Sequence, residues 1–227
     1  MADEATARTR WLYDSYAARY DRDTGWYERI MLGSARRQVC SQARGRILEV
    51  AIGTGRNLPF YPAEAALTGI DLSGRMLAAA GRRAKELGID VNLCLADAQA
   101  LPFPDACFDT VVCTLGLSSI PDDNAAVTQM YRVLRPGGRL LLLGHIASPY
   151  WPIRVAQSLV ERYSQRITGD RQLRQTLPLV EAAGFLIDRR TLRRAGIIEI
   201  LAAGKPARRA GQPRGTVSPS SSRPWTR

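Results

Sequence analysis

Arg46-Ile-Leu-Glu-Val-Ala-Ile-Gly-Thr-Gly55, followed by Gly69-Ile-Asp-Leu-Ser73, organises the rest of this 227-residue chain. The apolar run 47–50 has the length of a buried strand, and Gly53-Thr54-Gly55 at its carboxyl end makes a turn whose bare backbone can approach a ligand. The next apolar segment, 67–70, ends in Asp71, twenty residues after Ala51. An acidic residue at that spacing can take the two hydroxyls of a ribose.

On either side of this stretch, apolar periodicity alternates between strand and helix. Helical spacing runs over 9–20 and 26–42, then from 57 to about 61 or beyond, and over 75–87 with Gly88 as the stop. Strands are expected over 91–95, 109–114 and 139–145, with a helix over 124–134 between the last two. A helix over 173–183 is closed by Gly184, and 185–190 and 196–203 read as two final strands. Such βαβ repetition predicts an α/β fold with a doubly wound, mostly parallel sheet.

The nucleoside can be narrowed by what the turn lacks. A dinucleotide fingerprint needs a third glycine three residues after the second, and here that residue is Leu58, followed by Pro59. Glu49 brings negative charge where a pyrophosphate would be repelled but a cation would not. S-adenosylmethionine, with its ammonium and sulfonium, suits the pattern better than NAD.

The chain resembles the class I S-adenosylmethionine-dependent methyltransferases. The resemblance rests on Leu48-Glu-Val-Ala-Ile-Gly-Thr-Gly55, Gly69-Ile-Asp71, Ala96-Asp-Ala98 with Leu101-Pro-Phe-Pro104 and Phe108-Asp109, Val111-Val-Cys-Thr114, and Arg132-Val-Leu-Arg-Pro-Gly-Gly138. Their order and spacing cover roughly residues 10 to 204, and within the class the chain looks most like the ubiquinone/menaquinone, phospholipid and thiol methyltransferases. The resemblance implies a Rossmann-like, seven-stranded sheet with an antiparallel last strand. It also implies that Gly53 and Gly55 face the cofactor's methionine and ribose, that Asp71 takes the ribose hydroxyls, and that Leu72 packs on the adenine. Asp97 and Ala98 would meet the adenine edge, and Glu49, Ala51 and Thr114 complete the rim. Ala51 departs from the pattern, which usually has glycine there; alanine does not adopt positive φ at low cost. The plainer reading of Asp71 and Asp97 is that each caps a turn.

His145, the chain's one histidine, follows the strand over 139–145 and is expected at the same rim. It is the candidate general base for an attacking phenol, amine or thiol, with a structural hydrogen bond as the plainer reading. Two segments are candidates for selecting the acceptor. Tyr13, Tyr16 and Tyr20 recur at helical spacing and resemble the tyrosine-rich lid segment of quinone methyltransferases, which makes Tyr20 a cofactor contact; alternatively they dock the helix on the core. Trp151, Val155 and Leu159 make an apolar stripe with Arg154, Arg162 and Arg166 nearby. Such a helix can rest on a membrane surface or, as is more common, cover a pocket.

Composition fits one sizeable core with no second globular domain: 45% of residues are hydrophobic, and no apolar run approaches the roughly 20 residues of a membrane span. Nor does the N-terminus carry a signal-peptide core, so a cytoplasmic protein with room for membrane-peripheral contact is expected. Four cysteines show no metal spacing and read as reduced thiols. Of the net charge of +11, the six basic residues after Gly204, with no acid among them, leave +5 for the preceding 204 residues. Residues 1–44 are therefore read as a helical lid, 45–204 as the cofactor domain and 205–227 as a disordered basic tail. The tail admits an electrostatic tether to lipid or nucleic acid, or a merely solubilising role. The expected activity is methyl transfer to a small, hydrophobic or lipid-like acceptor, with no metal and no nucleic-acid partner. A nucleic-acid-modifying protein and a non-catalytic cofactor scaffold are the alternatives from other classes.

Overall fold

A computed structural model of the protein describes residues 2–167, 171 and 173–207. Its centre is a sheet of seven strands in the order β3-β2-β1-β4-β5-β7-β6. The strands are β1 (Arg46–Val50), β2 (Ala66–Asp71), β3 (Asn92–Leu95), β4 (Phe108–Thr114), β5 (Leu134–His145), β6 (Leu186–Arg193) and β7 (Ile198–Gly204). β1 pairs in parallel with β2 and β4, β2 with β3, and β4 with β5, whereas β7 runs antiparallel between β5 and β6. The chain winds outward from β1 in one direction and from β4 in the other, which opens a crevice above the carboxyl ends of these two strands.

The sheet is buried on both faces because its central strands carry apolar side chains on both sides, over Ile47–Leu48, Val111–Cys113 and Leu140–Leu143. Leu48, Val50, Val111 and Leu140 pack toward one core, with Met130 and Val180 from the covering helices. The alternate residues Ile47, Val112, Leu141 and Leu143 pack toward a second, with Val39 and Ala84. The period of two along each strand divides the side chains between the layers. The helices are α1 (Ala2–Met31), α2 (Ala35–Cys40), α3 (Gly74–Leu87), α4 (Asp123–Val133), α5 (Trp151–Ile167) and α6 (Thr176–Ala182). α3 starts where Ser73 Oγ accepts from Met76 N (3.1 Å), and α4 where Asp122 Oδ1 accepts from Ala125 N (2.9 Å).

Two helix expectations are corrected. The helices expected over 9–20 and 26–42 are instead one continuous α1 to Met31, a turn in which Gly33 takes φ 53°, and the short α2. The polar stretch around Asp21 and Asp23 contains no proline, and Asp21 is satisfied by arginines from other elements, so the helix runs through it. The helix expected from residue 57 shrinks to a single 3-10 turn, Leu58–Phe60, with Pro59 within it and Pro62 just beyond. The basic tail read as disordered lies, beyond Ala207, outside the described residues.

Candidate functional site

β1 ends in a left-handed residue, Ala51 (φ 56°), and the loop turns back through Gly53 (φ 58°) and Gly55 (φ 77°). Asp71 at the end of β2 holds that loop: Oδ2 accepts from Gly53 N (2.8 Å) and Oδ1 from Ser73 N (2.9 Å). Burial pushes its pKa up to about 6 against the lowering effect of these backbone donors. A Cβ placed on Gly53 would meet nothing within 4 Å, so the space beside it is open. Gly55 has a different task, since a Cβ there would lie 2.8 Å from Leu58 Cδ1 and 3.2 Å from Ala80 Cα. Its missing side chain lets α3 pack against the loop.

Above these strand ends lies a cavity with about 680 Å³ of empty space, including its open mouth. Tyr20, Ala51, Gly53, Asp71, Leu72, Asp97, Ala98 and Thr114 line it, so eight of the residues singled out in the sequence converge there. Asp97 also caps its own turn by accepting from Gln99 N (2.9 Å), so the capping and lining readings hold together. Tyr13, of the same tyrosine series as Tyr20, is a ninth, and the remaining wall includes Thr9, Met76, Leu115, Gly116 and Ser119, none of which stands in a local motif that marks a ligand. Among the described residues, neither lysine nor arginine lines the cavity. Two carboxylates, apolar walls and bare backbone form a donor set that suits an uncharged nucleoside joined to a cationic group and does not suit phosphates. S-adenosylmethionine fits this chemistry.

Glu49 does not reach the wall. It is 1% exposed beneath the loop, where Oε1 accepts from Asn57 Nδ2 (2.6 Å), and burial pushes its pKa up to about 7. Asn57 Nδ2 also donates to Thr114 Oγ1 (2.7 Å), and Arg36 donates to Asn57 Oδ1 and Thr114 Oγ1 (2.9 Å each). Arg36 is itself paired with Glu28 of α1 (2.9 Å). The negative charge assigned to the cofactor's cationic end is therefore part of a buried network that stiffens the strand ends.

α1 crosses the whole rim and touches each of its loops through polar atoms. Gln99 Nε2 donates to Thr6 Oγ1 (3.0 Å), the Tyr13 hydroxyl is hydrogen-bonded to Ser119 Oγ (2.5 Å), and Ser73 Oγ donates to Asp14 (2.6 Å). Asp21 accepts from Thr54 Oγ1 (2.7 Å) and Arg56 Nε (2.8 Å) and pairs with Arg83. Glu28 pairs with Arg56 (2.6 Å) as well as with Arg36. The Arg56 guanidinium lies 5.3 Å from the centroid of the Tyr20 ring that faces the cavity.

His145 stands at the end of β5, 8% exposed, with Nε2 3.0 Å from the Tyr27 hydroxyl; which atom donates depends on the imidazole tautomer. It lines a second, smaller cavity, about 300 Å³ of empty space counting its open mouth, with Leu117, Thr176, Leu179 and the Asp123–Arg174 ion pair (2.9 Å). Leu115 lines both cavities, so the two are neighbours. It leaves β4 in the left-handed conformation (φ 59°).

Among the described residues the four cysteines are free, no cluster of side chains could hold a metal ion, and no helix is long and apolar enough to cross a membrane. Residues 47–138 match a family described as a methyltransferase domain. Over 57% of this chain and 70% of its own length, a phosphatidylethanolamine N-methyltransferase of Cereibacter sphaeroides is 37% identical. A demethylmenaquinone methyltransferase of Clavibacter sepedonicus is 30% identical over 91% of this chain and 94% of its own length. Other curated relatives are covered over 42% to 60% of their length. Among solved structures, an S-adenosylmethionine-dependent methyltransferase of Thermotoga maritima superposes with a TM-score of 0.67 at 20% identity, over 86% of this chain and 98% of that one, a likeness of fold.

Proposed function

This chain belongs to the methyltransferase family and is an S-adenosylmethionine-dependent enzyme, and we propose that it methylates a small, lipid-like acceptor, a quinol, a phospholipid amine or a thiol, entering through the His145 cavity. One observation carries this reading: the cavity with the cofactor's chemistry and the smaller cavity with His145 share Leu115 in their linings and so lie side by side. The leucines of the smaller cavity suit an apolar acceptor. The two relatives named above act, by their names, on a phospholipid and on a quinone precursor.

When bound, S-adenosylmethionine supplies an electrophilic methyl group. The chain's own residues do the rest. Asp71 accepts hydrogen bonds from the ribose hydroxyls, Gly53 leaves room for the methionine part, and Leu72 and Met76 close on the adenine. Asp97 and Ala98 stand at the adenine edge, and α1 closes the cavity from above through Tyr13 and Tyr20. His145 takes the proton that an attacking phenol, amine or thiol gives up; because Nε2 already has the Tyr27 hydroxyl as its partner, that hydrogen bond opens or relays the proton in the step. Excluding water and aligning the nucleophile supply the larger part of the rate.

Calorimetric titration with S-adenosylmethionine and S-adenosylhomocysteine, with NAD as control, tests the cofactor site. Micromolar binding of the first two, lost in Asp71→Ala and Gly53→Val, is expected; wild-type affinity in both variants would remove the assignment. Turnover is then read with a demethylated menaquinol analogue, with phosphatidylethanolamine in mixed micelles and with an aliphatic thiol. His145→Gln is expected to lower kcat about 100-fold at unchanged KM and to flatten its pH profile, the usual size of a general-base effect. An unchanged profile would leave His145 as a structural residue.

A further inference from the structure

We propose that the end of α1, the β6–β7 turn and the start of α5 form one docking surface for an anionic lipid bilayer. This goes beyond methyl transfer and does not depend on which acceptor is used. The apolar stripe on α5 does not cover a pocket: Trp151, Val155 and Leu159 are 72%, 54% and 64% exposed. Within 151–162 only Gln157 is buried. Its amide donates to Ile146 O (2.9 Å) and accepts from Ser148 N (2.8 Å), so the described part of α5 is moored by one polar side chain while its apolar face points away.

The last turns of α1 add Trp26, 65% exposed, and Ile30, 56% exposed. A short series of hydrogen bonds joins the two helices. Arg194 of the turn donates to Ile30 O (2.6 Å), its neighbour Ala195 O accepts from Ser148 Oγ (2.7 Å), and Ser148 Oγ accepts from Tyr150 N (3.2 Å). Tyr27, beside Trp26, reaches inward to His145, so the patch lies over the acceptor side of the rim.

Charge identifies the occupant. Arg29, Arg154, Arg162 and Arg194 are exposed around the apolar residues. The acids near them are Asp23, which Arg22 pairs (2.9 Å), and the half-buried Glu161. A second copy of the chain docked by two-fold symmetry would bring like charges together, whereas lipid phosphates would neutralise them. Tryptophan and tyrosine, with an apolar ring and one polar atom, are the side chains suited to the boundary between head groups and acyl chains.

Co-sedimentation with vesicles of phosphatidylcholine alone, and with vesicles of equal parts phosphatidylcholine and phosphatidylglycerol, tests the surface without cofactor or acceptor. The full chain is expected on the anionic vesicles only. Trp151→Ala with Leu159→Ala is expected to weaken partitioning at least about tenfold while keeping cofactor affinity and circular dichroism unchanged. A full-length variant with Arg208, Arg209, Arg214, Arg223 and Arg227 all replaced by Gln is expected to keep most of the binding. Absence of vesicle binding, binding undiminished in the double alanine variant, or loss only in the tail variant would each overturn the proposal. So would a micromolar dimer in sedimentation velocity that the alanine pair dissolves. Vesicle binding without turnover on any acceptor counts against the proposed acceptor class alone. Turnover of a short-chain quinol without vesicle binding counts against the docking surface alone.

Discussion

Ala51 occupies a backbone position that favours glycine. With φ at 56° its methyl is held in the left-handed region, which costs an L-residue about 1 kcal/mol or more. The space that methyl fills is taken from a neighbour, because a Cβ on Gly116 would stand 2.5 Å from Ala51 Cβ. The ends of β1 and β4 thus have room for one methyl between them. Ala51→Gly relieves the strain but frees the unfolded chain, so the folded protein should be unchanged or up to about 1 kcal/mol more stable. Gly116→Ala should cost about 2 kcal/mol by overpacking, and the double variant should recover most of that loss. Urea unfolding of the three variants decides it; a Gly116→Ala protein as stable as the parent would mean that the two loops yield freely. The departure at Ala51 was visible in the sequence, but Gly116, which makes it tolerable, was not, because 65 residues of chain separate the two.

α1 is a strap more than a layer of the core. Among residues 4–31, Glu28 is the one buried side chain, and the helix is held by ion pairs and hydrogen bonds to Gln99, Ser119, Ser73, Thr54, Arg56 and Arg83. Elements with few buried apolar contacts open at free energies well below that of global unfolding. Burial works to raise the pKa of Asp21, but hydrogen bonds from Thr54 and Arg83 and the charges of Arg56 and Arg83 outweigh it and hold the carboxyl below its ordinary value. A depressed carboxylate stabilises above its unfolded pKa and loses that contribution as pH falls through the folded one, so acid loosens the strap. Asp21→Asn should speed hydrogen exchange in α1 and raise the S-adenosylhomocysteine dissociation rate several-fold, with little change in the exchange of β1 and β4. Slow exchange in α1 equal to that of β1, in parent and variant alike, would make the helix part of the core. The same physics explains what could be read in advance. Buried strands carry their own apolar period and helix caps their own turn residues, so the strands and α3 and α4 fall within a few residues of expectation. The lining of Gly53, Asp71 and Asp97 was legible for the same local reason. The continuity of α1 was not, since Asp21 finds its partners 35 and 62 residues away in Arg56 and Arg83.

Over the whole molecule, two buried carboxylates set stability and cofactor affinity in opposition. The pKa of Glu49 is pushed up to about 7 and that of Asp71 to about 6, in both cases by burial first, and the charge of Asp71 raises Glu49 further. A carboxyl whose folded pKa exceeds its unfolded value near 4 binds its proton more tightly when folded. Its contribution to stability is complete below the unfolded pKa and is lost as pH rises through the folded one. The ligand-free protein should therefore lose this contribution between about pH 4 and 7. Binding has the reverse slope, because ribose hydroxyls donate to Asp71 and favour its ionised form, so cofactor affinity should rise as pH passes through 6. Two variants separate the limbs. Glu49→Gln retains an acceptor for Asn57, and should flatten the pH dependence of the urea midpoint while leaving the affinity profile in place. Asp71→Asn should weaken binding at pH 8 and remove its rise between pH 5 and 7. If Glu49→Gln leaves the stability profile as steep as the parent's, the proton is held elsewhere. Glu49 would then be ionised beneath the loop at every pH at which the fold survives, with the nearby Arg36 guanidinium balancing its charge.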